Sequence, residues 1–210
     1  MSEHEAAPHP HTAEEWDERY SGEQVWSGNP NQALVTEAAE LDAGRVLDVG
    51  CGEGADSVWL ARQGWVVTAL DISSQAVTRT EAAAADAGVA VAGVAGGLLE
   101  APLRDASYDL VSVMYPALLR TPGGEAEQRL LDLVAPGGTL LVVHHDLDRE
   151  HTLQHGRDLD EYVSPDDVRA LAVERGGWEV VTDERRGRTA SGGAGAHHTT
   201  DLVVRLQRRA

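Results

Sequence analysis

The stretch that most narrows what this chain can become runs from Arg45 to Gly54. Arg45 to Val49 is a short apolar run that closes on Asp48-Val49-Gly50-Cys51-Gly52-Glu53-Gly54, and from Ala55 to Arg62 a helical pattern begins, with Val58, Trp59 and Ala61. Three glycines at alternate positions let the backbone turn tightly, approach a ligand closely and enter a helix whose N-terminal amides face the turn. Strand, tight loop and helix in that order open an α/β fold, and the pattern goes on. Gly64 ends the helix, Trp65 to Leu70 makes a second strand closing on Asp71, and Ser73 or Ser74 can cap a helix that runs through alanines to Gly88. Val89 to Val94, interrupted by Gly93, is a third strand and Tyr108 to Met114 a fourth. A helix over Glu125 to Leu133 and a turn at Pro136-Gly137-Gly138 lead to a fifth, Thr139 to His144. Strands alternating with helices predict a parallel, doubly wound sheet. After a helix from Pro165 to Glu174 the alternation stops. No helix separates Trp178–Thr182 from Asp201–Leu206, so the chain ends in an antiparallel hairpin added to the sheet.

Ahead of this block, residues 1–13 carry Pro, His, Glu and Ala without apolar periodicity and are expected to be a mobile tail, with order beginning near Trp16. Residues 14–43 form an arm bearing Trp16, Tyr20 and Trp26 and a helix from Gln32 to Leu41. Residues 44–210 form the domain itself. The 17 Lys and Arg against 35 Asp and Glu leave a formal charge of -18, which repels phosphate backbones and anionic membranes, so neither nucleic acid nor a membrane is an expected partner. The apolar runs, such as Leu140 to Val143, are strand-sized, and no signal peptide or span is expected; a cytoplasmic location follows. Cys51 is the single cysteine, which leaves no internal disulfide.

A glycine loop followed, about 20 residues on, by an acid at the end of the second strand is a nucleotide-type arrangement, with Asp71 placed to accept two bonds from a ribose diol. The spacing here is G-x-G-x-G, where dinucleotide loops have G-x-G-x-x-G. Asp48 and Glu53 would oppose a pyrophosphate, whereas a ligand carrying a sulfonium and an ammonium is favoured by nearby carboxylates.

At these residues the chain resembles the class I S-adenosylmethionine methyltransferases, from Trp16 to Leu206. Trp16-Asp17-Glu18-Arg19-Tyr20 with Trp26 and Pro30, then Trp59-Leu60-Ala61 and Gly64-Trp65-Val66-Val67-Thr68, look like the small-molecule branch that includes tellurite-resistance and thiopurine methyltransferases. The resemblance implies a Rossmann-like seven-stranded sheet, mostly parallel with a reversed last strand. It also implies S-adenosyl-L-methionine as cofactor and S-adenosyl-L-homocysteine as product. Gly50, Gly52 and Gly54, with Asp48 and Cys51, would line the methionine part. Asp71 would take the ribose, Ile72 would stack on adenine, and Met114 and Tyr115 would lie beneath the cofactor, with Trp26 of the arm closing on it. One departure stands out. Where the family has an acid for the adenine, this chain reads Gly96-Gly97-Leu98-Leu99-Glu100, with Gly97 in the acid's place.

Methyl transfer is an in-line displacement, so the protein must align donor and acceptor, exclude water and, for some acceptors, remove a proton. In open α/β sheets the groups for this lie after the carboxyl ends of the strands. Tyr115, Pro116 and Arg120 follow the fourth strand. His144, His145 and Asp146 follow the fifth, with His151, His155, Arg157 and Tyr162 beyond. Arg185, Arg186, Arg188, His197 and His198 follow the sixth. His144, His145 and Tyr115 are the candidate catalytic groups, a histidine being the best proton acceptor near neutral pH, and strand alternation allows only one of the pair to face a given side. Trp16, Tyr20, Tyr115, His144, His145, His197 and His198 are candidate acceptor contacts. The histidine spacing matches no established zinc pattern, and no metal is assigned. The arginines read as a solvated loop and Cys51 as a small residue fitting a tight turn.

The expected function is transfer of a methyl group to a small-molecule nucleophile at sulfur, nitrogen, oxygen or a metalloid, by a monomer or homodimer. A non-catalytic cofactor- or metal-binding protein on the same fold is the alternative. A nucleotide-dependent oxidoreductase is a more distant one.

Overall fold

The computed structural model describes residues 11–148, 152–153, 158–189, 192–193 and 198–210. Helices α1 (Ala13–Tyr20) and α2 (Gln32–Ala38) precede β1 (Arg45–Val49), α3 (Ala55–Arg62), β2 (Val66–Asp71), α4 (Ser74–Asp86), β3 (Val91–Ala95), β4 (Tyr108–Met114), α5 (Glu125–Leu133) and β5 (Val134–His145). A short 3-10 turn at Leu159–Glu161 leads to α6 (Pro165–Arg175), β6 (Trp178–Gly187) and β7 (Thr200–Arg208).

The seven strands form one sheet in the order β3-β2-β1-β4-β5-β7-β6. The first five are mutually parallel, and β7 runs antiparallel to both β5 and β6, so the reversed strand is the last one, as expected. The order reverses beside β1, which opens a crevice above the carboxyl ends of β1 and β4.

Alternation along the strands divides the core into two layers. Leu47, Val111, Leu140, Val142 and Val204 face α5 and α6, where Leu130, Leu131 and Val168 meet them. Val46, Leu110, Leu141, Val143 and Val203 face the other way, onto Leu34 and Ala38 of α2 and Leu60 of α3. Most of these side chains are fully buried, so truncating one such leucine to alanine costs about 2–5 kcal/mol.

Local chemistry sets the helix ends. Thr12 caps α1 in a reciprocal box with Glu15, Ser73 accepts from Ala76 N–H at the start of α4, and Ser164 with Asp167 boxes α6, where Pro165 takes the first position. Helices α3 and α5 instead enter from left-handed glycines, Gly54 and Gly124.

Several boundaries differ from expectation. Order was expected from near Trp16, and α1 already begins at Ala13, where Thr12 supplies the cap; of the expected tail, residues 1–10 lie outside the described residues. Helix α2 stops at Ala38, with Leu41 N–H turning back to the Ala38 carbonyl. The expected turn at Pro136–Gly138 is absorbed into β5 as an irregularity, since Val134 pairs with Tyr108 and Thr139 with Leu110 on either side of it. Strand β6 continues through Arg185 and Arg186 to Gly187, where a loop was expected, because β7 pairs with its whole length. No helix among the described residues is long and apolar enough to cross a membrane.

Candidate active site

The glycine loop is pinned to the neighbouring strand before any ligand is considered. Gly50 and Cys51 N–H both donate to the Leu70 carbonyl, at 2.8 and 3.0 Å. Gly50, Gly52 and Gly54 all have positive φ, at 75°, 54° and 84°, but they serve different ends. Gly50 faces open space, with nothing within 4 Å of where a Cβ would stand. At Gly52 a Cβ would lie 3.2 Å from both the Trp26 Nε1 and the Tyr20 hydroxyl, so its bareness admits the arm. A Cβ on Gly54 would lie 2.8 Å from the Thr80 Cα, so this glycine lets α3 pack onto α4.

Gly54 therefore does not line the cavity, contrary to expectation, and neither does Asp48. The Asp48 side chain points into the layer under the loop, where it accepts from the Ser57 hydroxyl at 2.6 Å. Burial first, then the Asp56 carboxylate, push Asp48 up to about 7, with the Ser57 bond opposing the rise. Asp56 is itself raised by burial, against the lowering effect of Asn31, whose backbone and side-chain amides donate to it at 2.7 and 2.6 Å.

Asp71 closes β2 at the cavity wall. Its two oxygens accept from Gly52 N–H and Ser73 N–H, each at 2.9 Å, and burial raises its carboxyl despite those bonds. Each oxygen keeps a second lone pair, which is what a ribose diol would engage.

These groups border a cavity of about 1020 Å³ above the carboxyl ends of the strands. Gly50, Cys51, Gly52, Asp71 and Ile72 line it from β1 and β2, and Gly97, Leu98 and Leu99 from the segment after β3. Met114 and Tyr115 line it from the end of β4, His144 and His145 from the end of β5, and His198 from the approach to β7. Trp16, Tyr20 and Trp26 line it from the arm. His197, His151, His155 and Arg157 lie outside the described residues. At Gly97 a Cβ would collide with the Glu100 carboxylate, so Glu100 stands over the position where the resemblance leads one to expect an acid.

The arm is fastened over this opening by three carboxylates. Asp17 of α1 accepts from the Ser73 and Ser74 hydroxyls and from Gln75 N–H at the start of α4. Glu53 of the glycine loop accepts from Val25 and Trp26 N–H and pairs with Arg79 at 2.6 Å, and Asp56 holds Asn31. Trp16 stacks on Tyr20, Trp26 Nε1 donates to the Tyr20 hydroxyl at 2.9 Å, and the Arg19 guanidinium lies over both indoles. Burial and the nearby Asp71 push the Tyr20 hydroxyl well above its ordinary range, so it stays protonated.

Across the cavity, His145 and Tyr115 converge on a residue that sequence reasoning had read only as the start of the last strand. His145 pairs in register with Asp201, and His145 Nδ1 lies 3.0 Å from Asp201 Oδ1. The Tyr115 hydroxyl donates to Asp201 Oδ2 at 2.7 Å, and Arg188 Nε sits 3.5 Å from the same oxygen. The His145 ring stacks on Tyr115 at 4.1 Å and meets His198 at 4.2 Å. Burial, then the Asp201 bond, raise the Tyr115 hydroxyl far above its ordinary value. His144 falls on the opposite strand face, with Leu140 and Val142, and its Nδ1 lies 3.1 Å from the His145 carbonyl. Arg188, read as solvated, is instead largely buried against Asp201 and over the Tyr115 ring. Among the described residues no group of three or more His, Cys, Asp or Glu side chains could hold a metal ion.

Residues 46–138 match the methyltransferase domain family. An uncharacterized methyltransferase of Mycobacterium bovis is 37% identical over 123 residues, which is 58% of this chain and 61% of that protein. Ribosomal RNA small subunit methyltransferase C of Alcanivorax borkumensis is 34% identical over 48% of this chain and 32% of its own length. The chain thus spans between about a third and three fifths of these curated relatives. Among solved structures, one describing the conversion of a disulfide bond into a thioacetal group during echinomycin biosynthesis aligns with a TM-score of 0.72 at 23% identity, over 95% of this chain and 93% of that one. N-methyltransferase NodS from Bradyrhizobium japonicum, in complex with S-adenosyl-L-homocysteine, aligns at 0.71 and 17% identity over 94% and 98%. The match to the methyltransferase domain family thus covers residues 46–138, and the strand order with its reversed final strand is a fold shared with these solved structures.

Proposed function

We propose that this chain transfers the methyl group of S-adenosyl-L-methionine to a small-molecule nucleophile. The observation that carries the reading is the pairing of an open, positive-φ Gly50 with the Asp71 carboxylate on one cavity wall, above the buried acids Asp48 and Asp56. That donor set suits the cofactor. Gly50 leaves room for the chain to approach a ligand, Asp71 can take the ribose, and the carboxylates of a wall that also includes Glu53 favour a sulfonium and an ammonium over a pyrophosphate. Ile72, Leu98 and Leu99 supply apolar surface for adenine, with Glu100 over Gly97 as an acceptor for its amino group. The bound cofactor supplies the electrophilic methyl carbon.

What this chain's own residues do is bind, orient and exclude water. The Trp16, Tyr20 and Trp26 surface covers the cofactor side, and His145 with Tyr115 stands at the acceptor side. The net charge of -18 favours a small acceptor over a polyanion such as the ribosomal RNA for which the Alcanivorax relative is named.

The test is calorimetric titration of S-adenosyl-L-methionine, S-adenosyl-L-homocysteine and reduced nicotinamide cofactors into the purified protein. Saturable binding of the first two alone is the expected result. Binding of the nicotinamide, or of none of the three, would overturn the reading.

A further inference from the structure

We infer that Asp201 holds His145 as the proton acceptor of the site, and that the methyl acceptor is therefore a neutral molecule whose O–H or N–H proton has to be removed during transfer; this rests on the methyl-transfer reading above. Three independent features converge on it. The first is the pairing itself. His145 and Asp201 are opposite partners on β5 and β7, and Nδ1 meets the carboxylate at 3.0 Å. A carboxylate accepts only, so the ring proton resides on Nδ1 and Nε2 is the basic nitrogen.

The second is the fixing of Asp201. It is 3% exposed, and its other oxygen is held by the Tyr115 hydroxyl at 2.7 Å, with Arg188 at 3.5 Å supplying the countercharge that a buried carboxylate requires. Its orientation is thus set from the end of β4, from β5 and from the chain after β6 together.

The third is strain. Tyr115 has φ of 50°, one of two non-glycine residues with positive φ among those described, a conformation that costs about 1–2 kcal/mol. It stands at the end of β4, where that conformation accompanies a ring stacked on His145 and a hydroxyl on Asp201.

The acceptor's chemistry follows from the same corner. A thiolate or metalloid oxyanion arrives without a proton to lose and gains nothing from an oriented base. It would also meet a wall holding Glu53, Asp56, Asp71, Glu100, Asp146 and Asp148, while the Arg188 charge is committed to Asp201. In the step itself an oxygen or nitrogen lone pair of the acceptor bonds the methyl carbon and the C–S pair stays on sulfur as a neutral thioether; the O–H bond breaks as the new bond forms, or the N–H bond breaks in the resulting ammonium, and in either case the proton goes to His145 Nε2.

The experiment combines three readouts on the wild-type, His145→Gln and Asp201→Asn proteins: nitrogen NMR of labelled imidazoles, titration of S-adenosyl-L-homocysteine, and turnover on substituted phenols and aromatic amines beside thiols and tellurite. The wild type is expected to show the Nδ1–H tautomer at His145 and to act on phenols or amines. Asp201→Asn should lose the tautomer preference with about 10- to 100-fold less turnover, and His145→Gln should lose about 100-fold or more, both with cofactor affinity changed less than about twofold. An Nε2–H tautomer in the wild type, undiminished turnover in His145→Gln, or activity confined to thiols and tellurite would overturn the inference. Should Asp201→Asn fail to fold, the wild-type tautomer and His145→Gln decide. Failure of the wild type to bind S-adenosyl-L-homocysteine overturns the functional reading and the acceptor class with it, whereas the tautomer signature still reports on the Asp201 to His145 pairing.

Discussion

The two sides of the cavity are built in different ways. On the β1–β2 side the working groups are close in sequence: Asp48 to Gly54 are consecutive, and the bond from Gly52 N–H to Asp71 spans 19 positions. On the β5–β7 side they come from four separate segments, and the bonds that join them, Tyr115 to Asp201 and His145 to Asp201, span 86 and 56. The electrostatics differ as well. The first side keeps several carboxylates under the loop with burial raising each of them, a condition that a cation would relieve, whereas the second keeps one buried carboxylate already compensated by Arg188, Tyr115 and His145. The contrast teaches that one wall is fixed by a backbone motif in consecutive residues, while the other exists only once distant strands have paired.

Four measurements would break or sharpen that comparison. The largest effect is expected from Gly54→Val, which places a Cβ 2.8 Å from the Thr80 Cα at a φ of 84°. Denaturant unfolding should show a loss of roughly 2–5 kcal/mol, and a neutral result would mean that the packing of α3 on α4 does not depend on this glycine. Next is pH. Asp48 binds its proton more tightly folded than unfolded, so the folded state carries the extra proton above the ordinary carboxylate value, and stability falls as pH rises toward about 7. Between pH 5 and 8 the ligand-free protein should lose on the order of 3 kcal/mol. Asp48→Asn should make the slope shallower, with Asp56 and Asp71 still contributing in the same direction, and an unchanged slope would show that Asp48 is not among the titrating groups.

Smaller is Asp71→Ala, which should weaken S-adenosyl-L-methionine binding tenfold or more, about 1.4 kcal/mol, while leaving the His145 tautomer untouched. A change in both would mean that the two sides are coupled. The smallest is Glu53→Gln, which removes charge-assisted bonds to Val25 and Trp26 worth about 1 kcal/mol; amide exchange should rise severalfold at those two residues and stay level at Gly50. Equal protection in both proteins would show that the arm is held by its aromatic packing instead.

Much of the first side was legible in the residues. The apolar run into G-x-G-x-G, the acid closing the next strand and Ser73 as a cap are local signals, each governed by neighbours a few positions away, and β1, α3, β2 and α4 lie where they were expected, within one or two residues. The misreadings there were of role. Gly54 looks like Gly50 on paper, and only the approach of Thr80 separates a glycine that packs helices from one that opens to a ligand. Asp48 reads as a cavity acid until strand alternation turns it under the loop toward Ser57. On the second side His145 and Tyr115 could be nominated as residues following strand ends, but nothing in the chain distinguishes Asp201 from any acid that opens a strand, or Arg188 from a solvated arginine.

By itself, then, the amino-acid order determined the doubly wound sheet, its terminal hairpin and the cofactor loop, because hydrophobic period, glycine placement and caps act over a few residues and need no partner to be read. The pairing of His145 with Asp201, the choice of His145 over His144 for that face and the fastening of the arm by Asp17, Glu53 and Asp56 were decided only by tertiary structure. Each depends on the register between β5 and β7 or on the docking of the arm across α3 and α4, and a register is set by the packing of whole sheet faces, where a slip of one residue would turn every side chain to the other side.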